Sequence, residues 1–151
     1  MHETENPGKA AKLRDFLDRE ARQAGFDRLA VTRADTDPQV AARLAEFVAQ
    51  GRHGTMEWMA ETVQRRQSPK SLWREAESVI MLAMNYGPDD NPLELLERRD
   101  RAAISVYARH RDYHDVIKGK LKTLAQKFAA RSGADVKVFV DTAPVMEKPL
   151  A

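Results

Sequence analysis

The sequence contains no cysteine among its 151 residues. Disulfide bonds and zinc–thiolate sites are therefore excluded, and these residues cannot ligate an iron–sulfur cluster through sulfur. Long apolar runs are also missing, since no stretch approaches the ~20 residues that a transmembrane helix needs. The first residues, MHETENPGKAAK, are polar and lack the apolar core of a secretion signal. These absences predict a cytoplasmic protein with no membrane partner.

Nucleotide-binding signatures are absent as well. The sequence has neither a Walker loop nor a dinucleotide glycine fingerprint, so nucleotide cofactors lack support. A net charge of +2 is too small to indicate nucleic-acid binding by itself. The charge is unevenly distributed, however, because eight lysines and arginines between Arg98 and Lys122 stand against three aspartates. This basic stretch suits a phosphate-bearing partner, although a solvated helix surface is the commoner explanation of such charges.

What is present describes a folded domain. Hydrophobic residues make up 42% of the chain and charged residues 32%, which is typical of globular proteins. The order of apolar patterns predicts an α+β fold, a single mixed α/β sandwich with about four strands and four to five helices. Residues 1–10 are predicted to form a disordered tail and residues 11–151 the domain. The predicted strands span residues 27–32, 78–86, 102–108 and 135–141.

Helix boundaries carry clear local signals. A helix over residues 13–24 is predicted to end at Gly25, and Asp37-Pro38 is predicted to cap and start the next one. The last helix is predicted to run from Asp112 to Ala130, with Gly133 ending it. Trp58 lies in a methionine-rich segment, and its size favours a place in the core.

The segment DVKVFVDTAP, residues 135–144, places a carboxylate in a prominent position. Val136, Val138 and Val140 alternate with other residues, which predicts a half-buried strand ending at Asp141. Pro144 disfavours a helix just before it. Asp141 is thus interpreted either as a turn cap or as a reactive group at a strand end.

Three further side chains are candidates for binding. Arg66 precedes Ser68-Pro69, a helix start that can hold its guanidinium outward. Tyr113 and His114 can line a pocket and donate hydrogen bonds to a ligand in it. His110 and His114 have the i, i+4 spacing of metal ligands, but no acid or cysteine completes the set, and Asp112 is as well explained as an N-cap. No metal site is predicted.

Five stretches, in this order, resemble one family. The sequence is similar to the N-terminal cobalamin-binding domain of epoxyqueuosine reductases, cobalamin-dependent iron–sulfur enzymes that complete queuosine synthesis on tRNA. The stretches are GFDRLAVTRAD (25–35), GTMEWM (54–59), RRQSPKSLW (65–73), VYARHRDYHDVIKGKL (106–121) and VDTAPVMEKPLA (140–151).

The resemblance implies a function and its partners. The family reduces the epoxide of epoxyqueuosine at the wobble position of tRNA with a GUN anticodon. Two four-iron clusters, which pass electrons from an external donor, lie in a domain that follows the resembling region in the family. This cysteine-free chain cannot bind them, so it is expected to be a fragment that is inactive alone.

The resemblance also implies roles for individual residues. Asp141 matches the proton donor and contacts the cofactor. Three other residues match cofactor-binding positions or the pocket wall: Arg66, Ser105 and Tyr113. Three match a stretch near the tRNA substrate: Met146, Glu147 and Lys148. His110 replaces a glycine that is usual in the family.

Two other functions fit the same residues. The chain is interpreted alternatively as a non-catalytic cobalamin- or RNA-binding module, or as a related corrinoid-dependent reductase of a small molecule. Retention of a corrinoid and binding to tRNA distinguish these alternatives.

Overall fold

The computed structural model of the chain describes residues 7–89, 91 and 93–151. Its elements, in chain order, confirm the α+β class and are as follows: α1 (Pro7–Gln23), β1 (Arg28–Arg33), α2 (Pro38–Ala49), α3 (Glu57–Glu61), α4 (Val63–Arg66), α5 (Pro69–Leu72), β2 (Ser78–Ala83), α6 (Glu94–Glu97) and α7 (Tyr113–Ser132), with short 3-10 turns at Val106–Ala108 and Lys148–Leu150. The described residues divide into two compact units.

The first unit comprises the residues up to Arg28 together with Ala83–Asp141. Helices α1 and α7 pack against each other here. Their apolar faces bury Leu17, Ala21 and Leu124, each less than 5% exposed. Lys127 Nζ on α7 donates a 2.7 Å hydrogen bond to Glu20 Oε2 on α1, and this bond lowers the pKa of Glu20. An apolar seam and one ion pair thus hold the two longest helices together.

The ends of these helices follow from local sequence. Asp112 caps α7 by accepting a hydrogen bond from the His114 amide, and Gly133 ends it with φ 77°. Gly25 follows α1 with φ 88°, a left-handed conformation that glycine adopts without strain. A Cβ at Gly25 would also lie 3.0 Å from Lys120 Nζ. The sequence predictions for these boundaries are confirmed.

The second unit comprises Leu29–Leu82 and Thr142–Ala151. Strands β1 and β2 form its two-stranded sheet. Asp37 Oδ1 accepts a 2.9 Å hydrogen bond from the Gln39 amide at the start of α2, so the predicted cap is confirmed. Leu44 on α2 is buried. The Thr36 hydroxyl donates to the Gln67 carbonyl at 2.9 Å, which ties the segment after β1 to the end of α4.

The strand predictions are only half right. The first strand is confirmed within one residue, and the second is confirmed but ends at Ala83 instead of residue 86. Strand β2 is half-buried over its four central residues. In place of the strand over residues 102–108, the chain forms the 3-10 turn Val106–Ala108. Residues 135–141 form no strand either.

Residues 135–141 show why the alternation of side chains led to the wrong prediction of a strand. Val136 and Val138 are half-buried and Val140 is 9% exposed, whereas Lys137 and Phe139 between them are exposed. The period of two therefore describes side-chain burial correctly. A strand also needs a neighbouring backbone to pair with, and side-chain periodicity carries no information about that partner.

At the N-terminus, α1 begins at Pro7, inside the segment predicted as a tail; residues 1–6 lie outside the described residues. Across the described ranges, no helix combines the length and apolar character needed to cross a membrane.

Candidate active site

Asp141 lies against the first turn of α7 in the first unit. The Tyr113 hydroxyl donates a 2.6 Å hydrogen bond to Asp141 Oδ2. This bond to a carboxylate is the main reason that the pKa of Tyr113 rises from 10.0 to about 12. Tyr113 therefore remains a neutral phenol at physiological pH and acts as a fixed donor to the carboxylate.

The His114 ring lies between two carboxylates: its Nε2 faces Asp141 and its Nδ1 contacts Asp112. His114 Nε2 lies 3.8 Å from Asp141 Oδ2, and His114 Nδ1 lies 2.8 Å from Asp112 Oδ1. Asp112 Oδ1 also accepts from the His114 backbone amide at 2.9 Å. The hydrogen bond from the His114 backbone amide is the main reason that the pKa of Asp112 is lowered, and the hydrogen bond from the imidazole is the second reason. Asp112 is thus both the helix cap and the anchor of the imidazole ring.

Aromatic packing fixes the rings around the acid. Tyr113 and His114 stack with ring centroids 4.1 Å apart and planes at 28°. Tyr107, in the 3-10 turn, meets the Tyr113 ring edge-on at 6.3 Å and 89°. Edge-to-face and offset-stacked pairs are the preferred aromatic geometries. We call Tyr107, Asp112, Tyr113, His114 and Asp141 the Asp141 cluster.

The Asp141 backbone adopts an unusual conformation. Its φ is 51°, and within the described ranges it is the one residue other than glycine with a positive φ. Aspartate tolerates this left-handed region better than most residues, but a side chain still makes it costly. Strained backbone of this kind concentrates at functional sites.

The Asp141 carboxylate is asymmetrically bound. Tyr113 and His114 both approach Oδ2, and Oδ1 has no hydrogen-bond partner within the described residues. The side chain is 48% exposed. One oxygen is therefore anchored while the other is open to a ligand. This arrangement fits a group that exchanges a proton with a bound molecule.

Arg66 lies in the second unit, at the end of α4. Its guanidinium carbon stacks 4.6 Å above the Trp58 ring, and its Nε donates to Thr62 Oγ1 at 2.9 Å. Thr62 in turn donates to the Trp58 carbonyl at 2.6 Å. Within the described residues, the two terminal guanidinium nitrogens have no hydrogen-bond or ion-pair partner. We call Trp58, Thr62 and Arg66 the Arg66 stack, and it presents those donors in a fixed orientation.

Trp58 corrects a sequence-based expectation. The residue is 48% exposed, so its interpretation as a core residue is wrong. One face of the ring supports Arg66 instead of packing in the interior. A lone tryptophan in a sequence does not reveal which of these roles it has, since its large ring is seldom fully buried.

The remaining predicted site residues are distributed over both units. Ser105, in the first unit, precedes the 3-10 turn that carries Tyr107; it is exposed and makes no side-chain capping bond. The predicted substrate residues lie in the second unit: Met146 is half-buried, while Glu147 and Lys148 are exposed at the start of the last turn. The Glu147 carbonyl accepts from the Leu150 amide at 2.9 Å, and Leu150 is buried.

Comparison with known proteins identifies the family of this chain. The family model described as epoxyqueuosine reductase QueG, DUF1730 matches residues 66–142, about half of the chain. This chain belongs to the epoxyqueuosine reductase family. The matched segment begins at Arg66 and includes Ser105 and the whole Asp141 cluster.

Individual relatives extend the similarity beyond that segment. The epoxyqueuosine reductase of Xanthomonas campestris pv. campestris is 36% identical over 145 residues, covering 94% of this chain and 39% of the relative. That of Leadbetterella byssophila is 38% identical over 129 residues, covering 85% and 41%. That of Pseudomonas aeruginosa is 32% identical over 148 residues, covering 97% and 41%. The chain spans about two fifths of the length of these epoxyqueuosine reductases.

A solved structure has the same fold. The crystal structure of selenomethionine-labelled epoxyqueuosine reductase aligns with a TM-score of 0.71 at 22% identity, covering 93% of this chain and 37% of that chain. At this identity the likeness supports the fold alone.

Two features of the site were missed by sequence reasoning. The first is the bond between Asp112 and the His114 ring, although an N-cap aspartate followed two residues later by histidine was a usable signal. The second is the Arg66 stack. Its members are spaced four residues apart, so consecutive helical turns bring them together.

Proposed function

We propose that this chain is the catalytic N-terminal part of a tRNA epoxyqueuosine reductase. In this function it binds cobalamin and reduces the epoxide of epoxyqueuosine, at the wobble position of tRNA with a GUN anticodon, to queuosine. The observation that carries the proposal is the Asp141 carboxylate, anchored at Oδ2 by Tyr113 and open at Oδ1. This group lies inside the segment that matches the family model.

The chain's donors fit a corrinoid. Corrinoids carry amide and phosphate oxygens on their periphery, and these are hydrogen-bond acceptors. Arg66 offers two unpaired guanidinium nitrogens in a planar arrangement that suits such oxygens. The Ser105 hydroxyl is exposed, and the Tyr113 ring stands beside Asp141. Each of four residues is proposed individually as a cofactor contact: Arg66, Ser105, Tyr113 and Asp141.

When bound, cobalamin would supply the electrons for opening the epoxide ring. The task of the chain is to protonate the oxygen that this opening releases. Asp141 is the proton donor in the proposal, and its open Oδ1 is the atom that meets the substrate oxygen. Tyr113 keeps the carboxyl group in place through Oδ2. Nearly half of the Asp141 side chain is exposed, so the bound cofactor and nucleoside must exclude water from it.

The RNA partner would meet the C-terminal residues of this chain. Lys148 is exposed and suits a phosphate, while Glu147 and Met146 adjoin it. Electrons would come from an external donor through iron–sulfur clusters. Those clusters need cysteine ligands that this chain lacks, so we expect no turnover without another source of electrons.

The first experiment tests cofactor binding. Hydroxocobalamin is mixed with the purified chain and desalted, and retention of a corrinoid spectrum supports the proposal. Arg66→Ala removes charge-assisted hydrogen bonds worth ~1.5–3 kcal/mol, so we expect about 10- to 100-fold weaker binding. Arg65→Ala, the neighbouring exposed arginine, is the matched control and should bind as the unmodified chain does. Equal affinities of all three proteins would contradict the role of Arg66.

The second experiment tests the reaction. The cobalamin-loaded chain receives a low-potential chemical reductant and an anticodon stem-loop that contains epoxyqueuosine. Mass spectrometry of the nucleosides should detect loss of the epoxide, and Asp141→Asn should abolish that loss while retaining the corrinoid. Full turnover by Asp141→Asn would exclude Asp141 as the proton donor.

A further inference from the structure

We infer that His114, oriented by Asp112, delivers protons to Asp141. This inference rests on the proposed function and adds to it the source of the protons. His114 and Asp112 are positioning residues in this scheme, because each acts through Asp141 and neither needs to touch the substrate.

The stoichiometry of the reaction creates the need for a proton source. Reducing an epoxide takes two electrons and two protons, whether the product is an alkene and water or an alcohol. A single carboxyl group carries one proton. Asp141 must therefore be reprotonated within each turnover, or a second group must supply the other proton.

The geometry at Asp112 settles which nitrogen of His114 carries a proton. Asp112 Oδ1 already accepts the His114 amide, and the low pKa of Asp112 keeps it ionised, so it can only accept hydrogen bonds. His114 Nδ1, 2.8 Å away, must then be the donor. In the neutral ring this leaves the lone pair on Nε2, the nitrogen that faces Asp141.

The protonated ring has an acceptor at each nitrogen. Asp112 faces Nδ1, Asp141 faces Nε2, and Tyr113 stacks on the ring face. The imidazole is 39% exposed, so it can take up a new proton from solvent.

The transfer step is balanced. The Nε2–H bond of the imidazolium breaks, an O–H bond forms on Asp141 Oδ2, and the ring recovers its proton from water. The resting separation of 3.8 Å is longer than a hydrogen bond. Catalytic hydrogen bonds often tighten only when the substrate is bound, and a small rotation of either side chain closes this gap. A half-turn about the Cβ–Cγ bond then exchanges the two oxygens, so that the newly protonated oxygen faces the substrate and the other accepts the Tyr113 hydrogen bond.

Tyr113 is not the missing source. Its hydroxyl already donates to Asp141, and once Asp141 had passed that proton to the substrate, a phenolate would be left beside a carboxylate. Its raised pKa agrees with this geometric argument. Tyr113 orients the Asp141 carboxyl group, and His114 returns a proton to it.

A kinetic experiment on the cobalamin-loaded, chemically reduced chain tests the relay. His114→Gln should lower kcat at least tenfold, a modest effect for a proton-transfer group, while KM for the RNA and affinity for cobalamin stay unchanged. Imidazole added to the buffer should restore turnover to His114→Ala in proportion to its concentration. If the His114 ring only supported the packing of the Asp141 cluster, free imidazole in the buffer would not restore turnover. Unchanged kcat in His114→Gln, or no rescue of His114→Ala, overturns the relay.

Asp112 has its own test. Asp112→Asn keeps a good helix cap but can accept or donate at the ring, so kcat should fall while helix content is kept. Asp115→Asn, in the same turn of α7, is the matched control and should retain full kcat.

A measurement without turnover completes the design. Nitrogen-resolved NMR of His114 should find the neutral ring protonated at Nδ1, and Asp112→Ala should shift the proton toward Nε2. An Nε2-protonated ring in the unmodified chain overturns the relay. If the unmodified chain binds cobalamin but leaves the epoxide intact, the proposed function fails and the relay fails with it. A failure confined to the His114 variants leaves the proposed function standing.

Discussion

The hydroxyl of Tyr113 and the Oδ2 atom of Asp141 are 2.6 Å apart, although 28 positions separate the two residues in the chain. This contact joins the first turn of α7 to the segment that follows the same helix. It converts an exposed aspartate into one with a defined orientation.

The first prediction is a pH dependence. Because the pKa of Tyr113 is raised to about 12, the Tyr113–Asp141 bond stabilises the fold fully below pH ~10, the ordinary value for tyrosine. That contribution is lost as pH rises through about 12. Ultraviolet absorbance of tyrosinate measures this titration. In Asp141→Asn the Tyr113 phenol should ionise closer to pH ~10. Identical titrations of both proteins would contradict the bond.

The second prediction concerns the Asp141 backbone. Glycine and asparagine adopt a φ of 51° easily, whereas a β-branched residue does not. We expect Asp141→Val to lower the free energy of unfolding by ~1–2 kcal/mol relative to Asp141→Gly. Both variants lack the carboxylate, so the comparison isolates backbone strain. Urea denaturation measures the difference, and equal midpoints would argue against a left-handed Asp141.

The third prediction addresses the Arg66 stack. Trp58→Leu removes the ring under the guanidinium, a cation–π contact worth ~0.5–2 kcal/mol. We expect affinity for hydroxocobalamin to fall about 3- to 30-fold, by absorbance titration. Thr62→Val, which frees Nε, should act in the same direction. Trp58→Phe retains an aromatic face and should lose less than Trp58→Leu; the reverse order would exclude stacking as the cause.

The fourth prediction concerns stability away from the site. Asp37 caps α2 through the Gln39 amide, so Asp37→Ala should cost about 1 kcal/mol of unfolding free energy. Asp37→Asn keeps an acceptor at the same position and should be nearly neutral. Chemical denaturation followed by circular dichroism distinguishes them. Equal losses in both variants would indicate that the charge, and not the cap, matters.

Local signals accounted for what could be predicted of the fold. The cap at Asp37 and the glycines that follow α1 and α7 depend on neighbouring residues, and the structure has them where expected. Strands depend on distant partners. In the segment predicted as a strand at residues 102–108, the Ile104 carbonyl instead accepts a 3.0 Å bond from Arg109 Nε. A side chain five residues away has taken an acceptor that sheet pairing would use.

The candidate site was predictable to a similar extent. Asp141 and Tyr113 were separate candidates in the sequence, and the structure joins them. The roles of Asp112 and Trp58 depended on three-dimensional neighbours, a histidine ring in one case and an arginine in the other. Residue type and spacing suggest what a side chain can do, but its partner decides what it does.

The exposed position of Trp58 under Arg66 has a practical consequence. The chain has two tryptophans, and one of them contacts the Arg66 guanidinium, which we propose binds the corrinoid. Corrinoids absorb light in the range where indole emits, so a corrinoid bound beside Arg66 should quench the fluorescence of Trp58. With Trp73→Phe, Trp58 would be the single tryptophan, and its fluorescence would report binding of the proposed cofactor in a stopped-flow instrument without any label.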